Sequence, residues 1–307
     1  MIAVLVILAA VMAALASCCE YFLRFALRSG ARPLVPGDGS PFSSEQYRHE
    51  RELSRGFLEK ECTHVYVTSR DGLTLHGYLH EKAGCHDYLV TVHGYRGCAL
   101  DNGVLYRYMA SEGFSTLVVD VRGHGESGGR WLSMGLWEAD DLALWVDFIV
   151  SKDPAARIAL HGVSMGGATV MMLSGRNPAH VKAIVEDCGY SSTYDEFACQ
   201  MKAMFHLPAH PLLDIISLWC RIRLSFSFRD VTPKNEVTKT RIPMMFIHGD
   251  ADTFVPFPMV YENRDAHRGE HELWVAEGVV HGAGMIVLED EYSRRVTAFI
   301  RKYIPRS

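Results

Sequence analysis

The apolar positions change their spacing along the chain, and each spacing predicts a different element. "MIAVLVILAAVMAALASCC" carries no charged side chain before Glu20. Residues 2–19 would form a helix of about 27 Å, close to the thickness of a bilayer core. Tyr21 and Phe22 come next, where aromatic rings favour the membrane interface. Residues 30–60 begin as a Pro/Gly/Ser linker and become a charged, helical approach. "THVYVTS", the turn "RDG" and "LTLHGYLH" then alternate with period two, as a hairpin does. "DYLVTVHG", "STLVVDVRG", "RIALHGVS", "VKAIVEDCG", "IPMMFIHGD" and "HELWVAEG" read as buried strands. Helical patterns at about 99–112, 136–151, 165–176 and 285–303 separate them. Short apolar strands alternating with helices predict an α/β fold, a mostly parallel central sheet with helices on both faces.

One interval breaks this rhythm. More than fifty residues separate the strand ending near Asp187 from the one starting near Ile242. Tyr194, Phe197, Met201, Met204 and Phe205 recur there at helical spacing, and Pro208 and Pro211 interrupt the run. The expected division is an anchor at 1–28, a linker and approach helix at 29–61, and an α/β domain at 62–307 with a lid insertion at about 189–238. Tyr194, Phe197, Met201 and Phe205 are candidate substrate contacts in the lid, although packing onto the domain explains any one of them equally well.

The bulk figures narrow the partners. A net charge of −5 in 307 residues, without a basic run, argues against nucleic acid. Eight cysteines without a C-x-x-C pair read as free thiols, and no metal motif is present. The amino-terminal segment reads as a membrane anchor. A cleaved signal peptide would want a positive n-region, which is missing, and "LASC" at 15–18 also fits lipidation at Cys18. Arg24, Arg28 and Arg32 favour a cytoplasmic side for the chain beyond the span.

The chemistry gathers at "LHGVSMGG". Ser164 stands between Gly162 and Gly166, at the junction of a strand and a helix. Glycine inside either element is destabilising, so this spacing implies a sharp turn that lifts the serine above the sheet edge. A serine needs a base, and the base needs an orienting acid. "FIHGDADTFVPF" offers Asp252 just past a strand, and "VAEGVVHGAGM" offers His281 past the last strand, in the order Ser, Asp, His. Asp250 and Asp187 are rivals for the acid, and His161 reads as structural. In "VTVHGYRGC" a strand ends in His93-Gly94, so the backbone N–H of Tyr95, with that of Met165, would face a developing oxyanion.

"HGYRG", "DVRGHGESGG", "GVSMGG" and "HGDADTFVP" together resemble the α/β-hydrolase superfamily, in its serine aminopeptidase-like and acylglycerol-lipase-like branch. The likeness runs over about 62–305 and is nearest to bacterial single-pass, membrane-anchored α/β hydrolases, which share "YFLRFAL", "EDCGYSS" and "DEF". The resemblance implies the α/β-hydrolase fold, Ser164 as nucleophile, Asp252 as acid, His281 as base, and Tyr95 and Met165 as oxyanion donors. It implies a structural role for "RGHGESGG" and an outward-facing domain, against the charge asymmetry; the site has no metal motif, so no cofactor is expected. "GVVHGAG" around His281 departs slightly from the commoner small-residue context.

The expected function is a serine hydrolase that cleaves a small-molecule carboxylic ester with an apolar or aromatic acyl group. An aminopeptidase or amidase on short peptides is the alternative, and would need a lid carboxylate such as Asp195, Glu196 or Asp214 to hold an amino terminus. A non-catalytic, membrane-tethered binding scaffold is the third reading.

Overall fold

The structure is a computed structural model and describes residues 1–30 and 40–306. Most of the expected linker, 31–39, lies outside the described residues. Helix α1 (Ile2–Leu27) leads, followed by α2 (Glu45–Glu61). The hairpin strands β1 (Thr63–Thr68) and β2 (Thr74–His80) pair antiparallel, with Thr63 opposite Leu79. Then come β3 (Asp87–Val92), α3 (Gly103–Ser111), β4 (Ser115–Val119), α4 (Leu136–Lys152), β5 (Arg157–Val163), α5 (Met165–Ser174) and β6 (Val181–Asp187). Helices α6 (Thr193–Phe205), α7 (Leu212–Leu224) and α8 (Pro233–Val237) occupy the long interval. The chain closes with β7 (Met244–Gly249), α9 (Pro258–Ala266), β8 (His271–Ala276), α10 (Gly284–Val287) and α11 (Glu289–Tyr303).

The eight strands form one sheet in the order β1-β2-β4-β3-β5-β6-β7-β8. β2 meets β4 antiparallel, and every pairing from β4 to β8 is parallel. Successive side chains of a strand point to opposite faces, and the central strands therefore feed two cores. Ile158 and Leu160 of β5 and Met244 and Phe246 of β7 join one core with α4, α5, α8 and α9. Ala159, Val163, Met245 and Ile247 join the other with α2, α3 and α11. Helix α5 is buried along its whole length, which explains why its sequence is apolar all round. The single helix expected at 285–303 is two, because the chain leaves helical geometry at Leu288. Glu289, Asp290 and Glu291 then favour a new helix amino terminus.

Helix α1 is long and apolar enough to cross a membrane. Its packing divides it in the middle. Residues 2–14 are exposed, whereas Cys19, Leu23 and Leu27, spaced four apart on one stripe, are almost wholly buried against the domain. The Trp219 indole and the Arg223 guanidinium of α7 donate to Glu20 at 3.1 and 3.3 Å. The Leu132 N–H donates to the Leu27 carbonyl at 2.8 Å. The packing boundary thus lies near Cys18, inside the helix, rather than at residue 28. Apolar stripes match whatever surface they meet, and a uniformly apolar segment carries no mark of where lipid would give way to protein.

Candidate active site

Strand β5 carries the chain to Ser164, and α5 carries it away. Ser164 sits at φ 56° and ψ −115°, in the left-handed half of conformational space that a side chain adopts only under strain. Two close approaches fix the glycines beside it. A methyl group at Gly162 would collide with the carbonyl of Gly166, and one at Gly166 would collide with the carbonyl of Val92 in β3. The bare backbone lets strand, turn and helix fold back on each other and hold the hydroxyl above the carboxyl edge of the sheet. The Ser164 N–H donates to the Asp187 carbonyl at 2.7 Å, tying the turn to β6.

Asp252 and His281 come just after β7 and β8 at the same edge. His281 Nδ1–H donates to Asp252 Oδ2 at 2.7 Å, which leaves Nε2 to accept from the Ser164 hydroxyl at 2.9 Å. Asp252 is buried, and its second oxygen accepts the N–H groups of Phe254 and Val255 at 2.8 and 3.0 Å. Its Oδ2 also faces His248 Nε2 at 3.1 Å. Burial alone would raise this carboxyl; hydrogen bonds from His248 and His281 and their charge outweigh it and hold the group down at about 2. The phenyl ring of Phe254 packs against the imidazole of His281, with ring centres 5.0 Å apart.

The other candidate acids and bases lie elsewhere. Asp250 accepts the Gly278 N–H at 2.6 Å. Asp187 is buried and accepts from the Tyr292 hydroxyl at 2.8 Å, while burial pushes it up to about 6. His161 bonds the same hydroxyl at 2.8 Å, and burial alone holds it down at about 3. His161, Tyr292 and Asp187 form a buried polar chain behind the serine turn. His248, one strand-end from Asp252, was invisible in the sequence. It is one histidine among fifteen, and only the turn after β7, which folds Asp252 back toward it, gives it a partner.

The loop after β3 approaches the serine. A side chain at Gly94 would touch the Val163 carbonyl at 3.2 Å and the Ser164 Cβ at 3.4 Å, so the backbone at 94–95 lies against the nucleophile turn. Met165 is the first residue of α5, where backbone N–H groups have no partner inside the helix. "RGHGESGG" braces this loop: His124 Nε2 accepts the Arg96 N–H at 3.2 Å. His93 is buried, accepts the Val121 N–H at 3.1 Å and is 2.9 Å from the Gly94 carbonyl.

A cavity of about 900 Å³, counted with its open mouth, extends from Ser164. Its walls are almost entirely apolar. Phe197, Met201, Met204 and Phe205 of α6 line it, with Leu213 and Ile216 of α7 opposite. Tyr194 does not line it: its hydroxyl is bonded to Asp214 at 2.8 Å, and the Arg229 guanidinium lies 3.6 Å over its ring. Asp214 accepts from His210 and Arg229 as well, and Asp195 is exposed. Glu196 does line the cavity. It is almost wholly buried; one oxygen accepts from Gln200 at 3.0 Å and the other has no partner. Phe22, Phe25 and Ala26 of α1 complete the wall.

A mostly parallel sheet with the turn of Ser164 at its carboxyl edge is the α/β-hydrolase fold. Residues 85–204 match the family described as serine aminopeptidase, S33. The chain is 27% identical over 252 residues to the protein YqkD of Bacillus subtilis (strain 168), covering 81% of this chain and 82% of that one. It is 26% identical over 199 residues to YfhR of Escherichia coli (strain K12), covering 63% and 64%. Among solved structures it resembles the Pyrococcus furiosus esterase Pf2001, with a TM-score of 0.67, 23% identity, and 90% and 98% of the two chains covered. Est1E from Butyrivibrio proteoclasticus, solved with ferulic acid bound, gives a TM-score of 0.64 at 19% identity, with 79% and 100% covered.

Proposed function

We propose that the chain is a membrane-anchored serine esterase that cleaves carboxylic esters with an apolar or aromatic acyl group through an acyl-enzyme. The hydrogen-bonded line from Asp252 through His281 to Ser164, at the floor of an apolar cavity, carries this reading. His281 removes the hydroxyl proton as Ser164 attacks the ester carbonyl, and returns it to the leaving alcohol. The N–H groups of Tyr95 and Met165 receive the oxyanion, each at about 3 kcal/mol of barrier. Water, activated by the same imidazole, then releases the acid. Asp252 fixes the imidazole tautomer and balances its charge. Residues 62–307 form the hydrolase unit, with 189–238 as its lid, and α1 holds it to the membrane.

A fluorophosphonate probe tests the nucleophile, and a panel of p-nitrophenyl esters tests the bond. The expected result is one adduct at Ser164 and turnover that rises with acyl chain length. An unlabelled protein without ester turnover overturns the reading and leaves the tethered scaffold.

Glu196 favours a second reading, an aminopeptidase or amidase. A buried carboxyl with an unpartnered oxygen is costly unless it is neutral or meets a ligand. Burial pushes it up to about 8, so it is mostly protonated at neutral pH until a cation arrives. If it holds a substrate ammonium, Glu196→Gln lowers kcat/KM for aminoacyl amides about tenfold relative to esters. If amides are not cleaved by the unaltered protein, the peptidase reading falls.

A further inference from the structure

Phe22 and Phe25 stand on the helix proposed as the membrane anchor, yet they line the same cavity as Ser164. Their rings meet Phe205 of α6 edge-on, at centroid distances of 5.1 and 5.4 Å. The carboxyl end of α1 also reaches the loop that carries Tyr95. The Tyr95 hydroxyl donates to the Ala26 carbonyl at 2.7 Å, and Arg96 donates to the Phe25 carbonyl at 2.9 Å. These are terminal helix carbonyls without intrahelical partners, and cationic or hydroxyl donors stabilise them.

The length of the helix sets where this wall lies. The exposed residues 2–14 reach only about 20 Å, short of a bilayer core of about 30 Å. Even residues 2–18 reach about 26 Å. For the helix to cross, the domain must sit pressed against the bilayer, with residues 19–27 at headgroup depth. The flanking surface agrees. Leu218 and Ile222, four apart on α7, are 59% and 67% exposed. They form a row beside Trp219 and Arg223, which hold Glu20 of α1. Tyr21 is exposed on α1, and Arg24, Arg28 and Arg130 gather beside Trp131 near the end of the same helix, where positive charge is favoured next to lipid headgroups.

We propose that the last two turns of α1 belong to the acyl site: Phe22 and Phe25 set the acyl chain length, and the substrate is an amphiphilic long-chain ester drawn from the bilayer surface. The inference rests on the esterase and anchor readings above. It makes the helix part of the enzyme rather than only its tether.

The test uses the full chain in phosphatidylcholine vesicles with p-nitrophenyl esters from acetate to dodecanoate. Replacing both Phe22→Ala and Phe25→Ala lowers the ratio of kcat/KM for octanoate over acetate about tenfold, and the two Phe→Leu changes recover most of it. Phe22→Trp narrows the cavity and moves the preferred chain shorter, which keeps the test open should the double alanine variant fail to fold. A chain-length ratio unmoved in every variant overturns the acyl-site claim. Leu218→Glu with Ile222→Glu lowers turnover of the vesicle-borne dodecanoate about tenfold relative to dissolved acetate; equal loss on both, or none on either, overturns supply from the bilayer. If the unaltered protein neither labels with fluorophosphonate nor cleaves an ester, the esterase reading has failed. If it does both and the ratio stays fixed, only the present inference falls.

Discussion

Ser164→Ala is expected to lower kcat for p-nitrophenyl esters by about 10⁴-fold or more, with KM little changed. The change removes one oxygen and nothing else. Alanine keeps the Cβ that the turn already tolerates at φ 56°, so the fold has no new strain to absorb. The cavity, the Phe254 contact to His281 and the backbone donors all remain. What is lost is the acyl-enzyme, and the remaining rate comes from water attacking a bound ester. Ser164→Gly separates strain from chemistry in the same experiment. It loses activity to the same extent, but relieves a left-handed non-glycine conformation and raises stability by about 1 kcal/mol, read as a higher thermal midpoint. An alanine variant with full ester turnover would remove Ser164 from the mechanism.

The sheet and the serine turn were legible because their signals are local. Period-two and short apolar runs marked all eight strands, and the glycines at 162 and 166 marked a backbone contact that the structure makes explicit, each facing a carbonyl. Asp252 and His281 were legible by position, since a residue just past a parallel strand lies at one edge of the sheet whatever its distance in sequence. The cavity was harder to read. Phe197, Met201 and Phe205 line it, but Tyr194, on the same helix, turns toward Asp214 and Arg229. Helical spacing gives a stripe, and charged neighbours on α7 and the loop after it decide which member leaves that stripe. The contribution of α1 had no local signal. Phe22 and Phe205 are separated by most of the chain, and their contact depends on how α1 docks beside α6. His248 escaped for a different reason: its carboxylate partner is only four residues on, but the strand pattern does not show that the turn after β7 folds Asp252 back onto the imidazole.

Asp252→Asn is expected to cost about 10⁴-fold in kcat with KM little changed, and the hydrogen bonds around it explain why. Oδ1 accepts two backbone N–H groups, while Oδ2 accepts from His281 and faces His248. An asparagine keeps one acceptor. If its oxygen stays with Phe254 and Val255, its amide confronts the imidazole donors. His281 must then carry its proton on Nε2 to accept at Nδ1, and that proton points at Ser164, leaving no base. If the amide is flipped, two backbone donors lose their acceptor in a buried place. Stability depends on the same carboxylate. Its folded value of about 2 lies below the ordinary 3.8, so its contribution, about 2 kcal/mol, is present above the ordinary value and fades as pH falls toward 2. The thermal midpoints of Asp252→Asn and the unaltered protein should therefore differ most near neutral pH and converge as pH falls through about 2. A gap that stays constant with pH, or an asparagine variant retaining a tenth of the activity, would mean that the charge on Asp252 does not orient the imidazole.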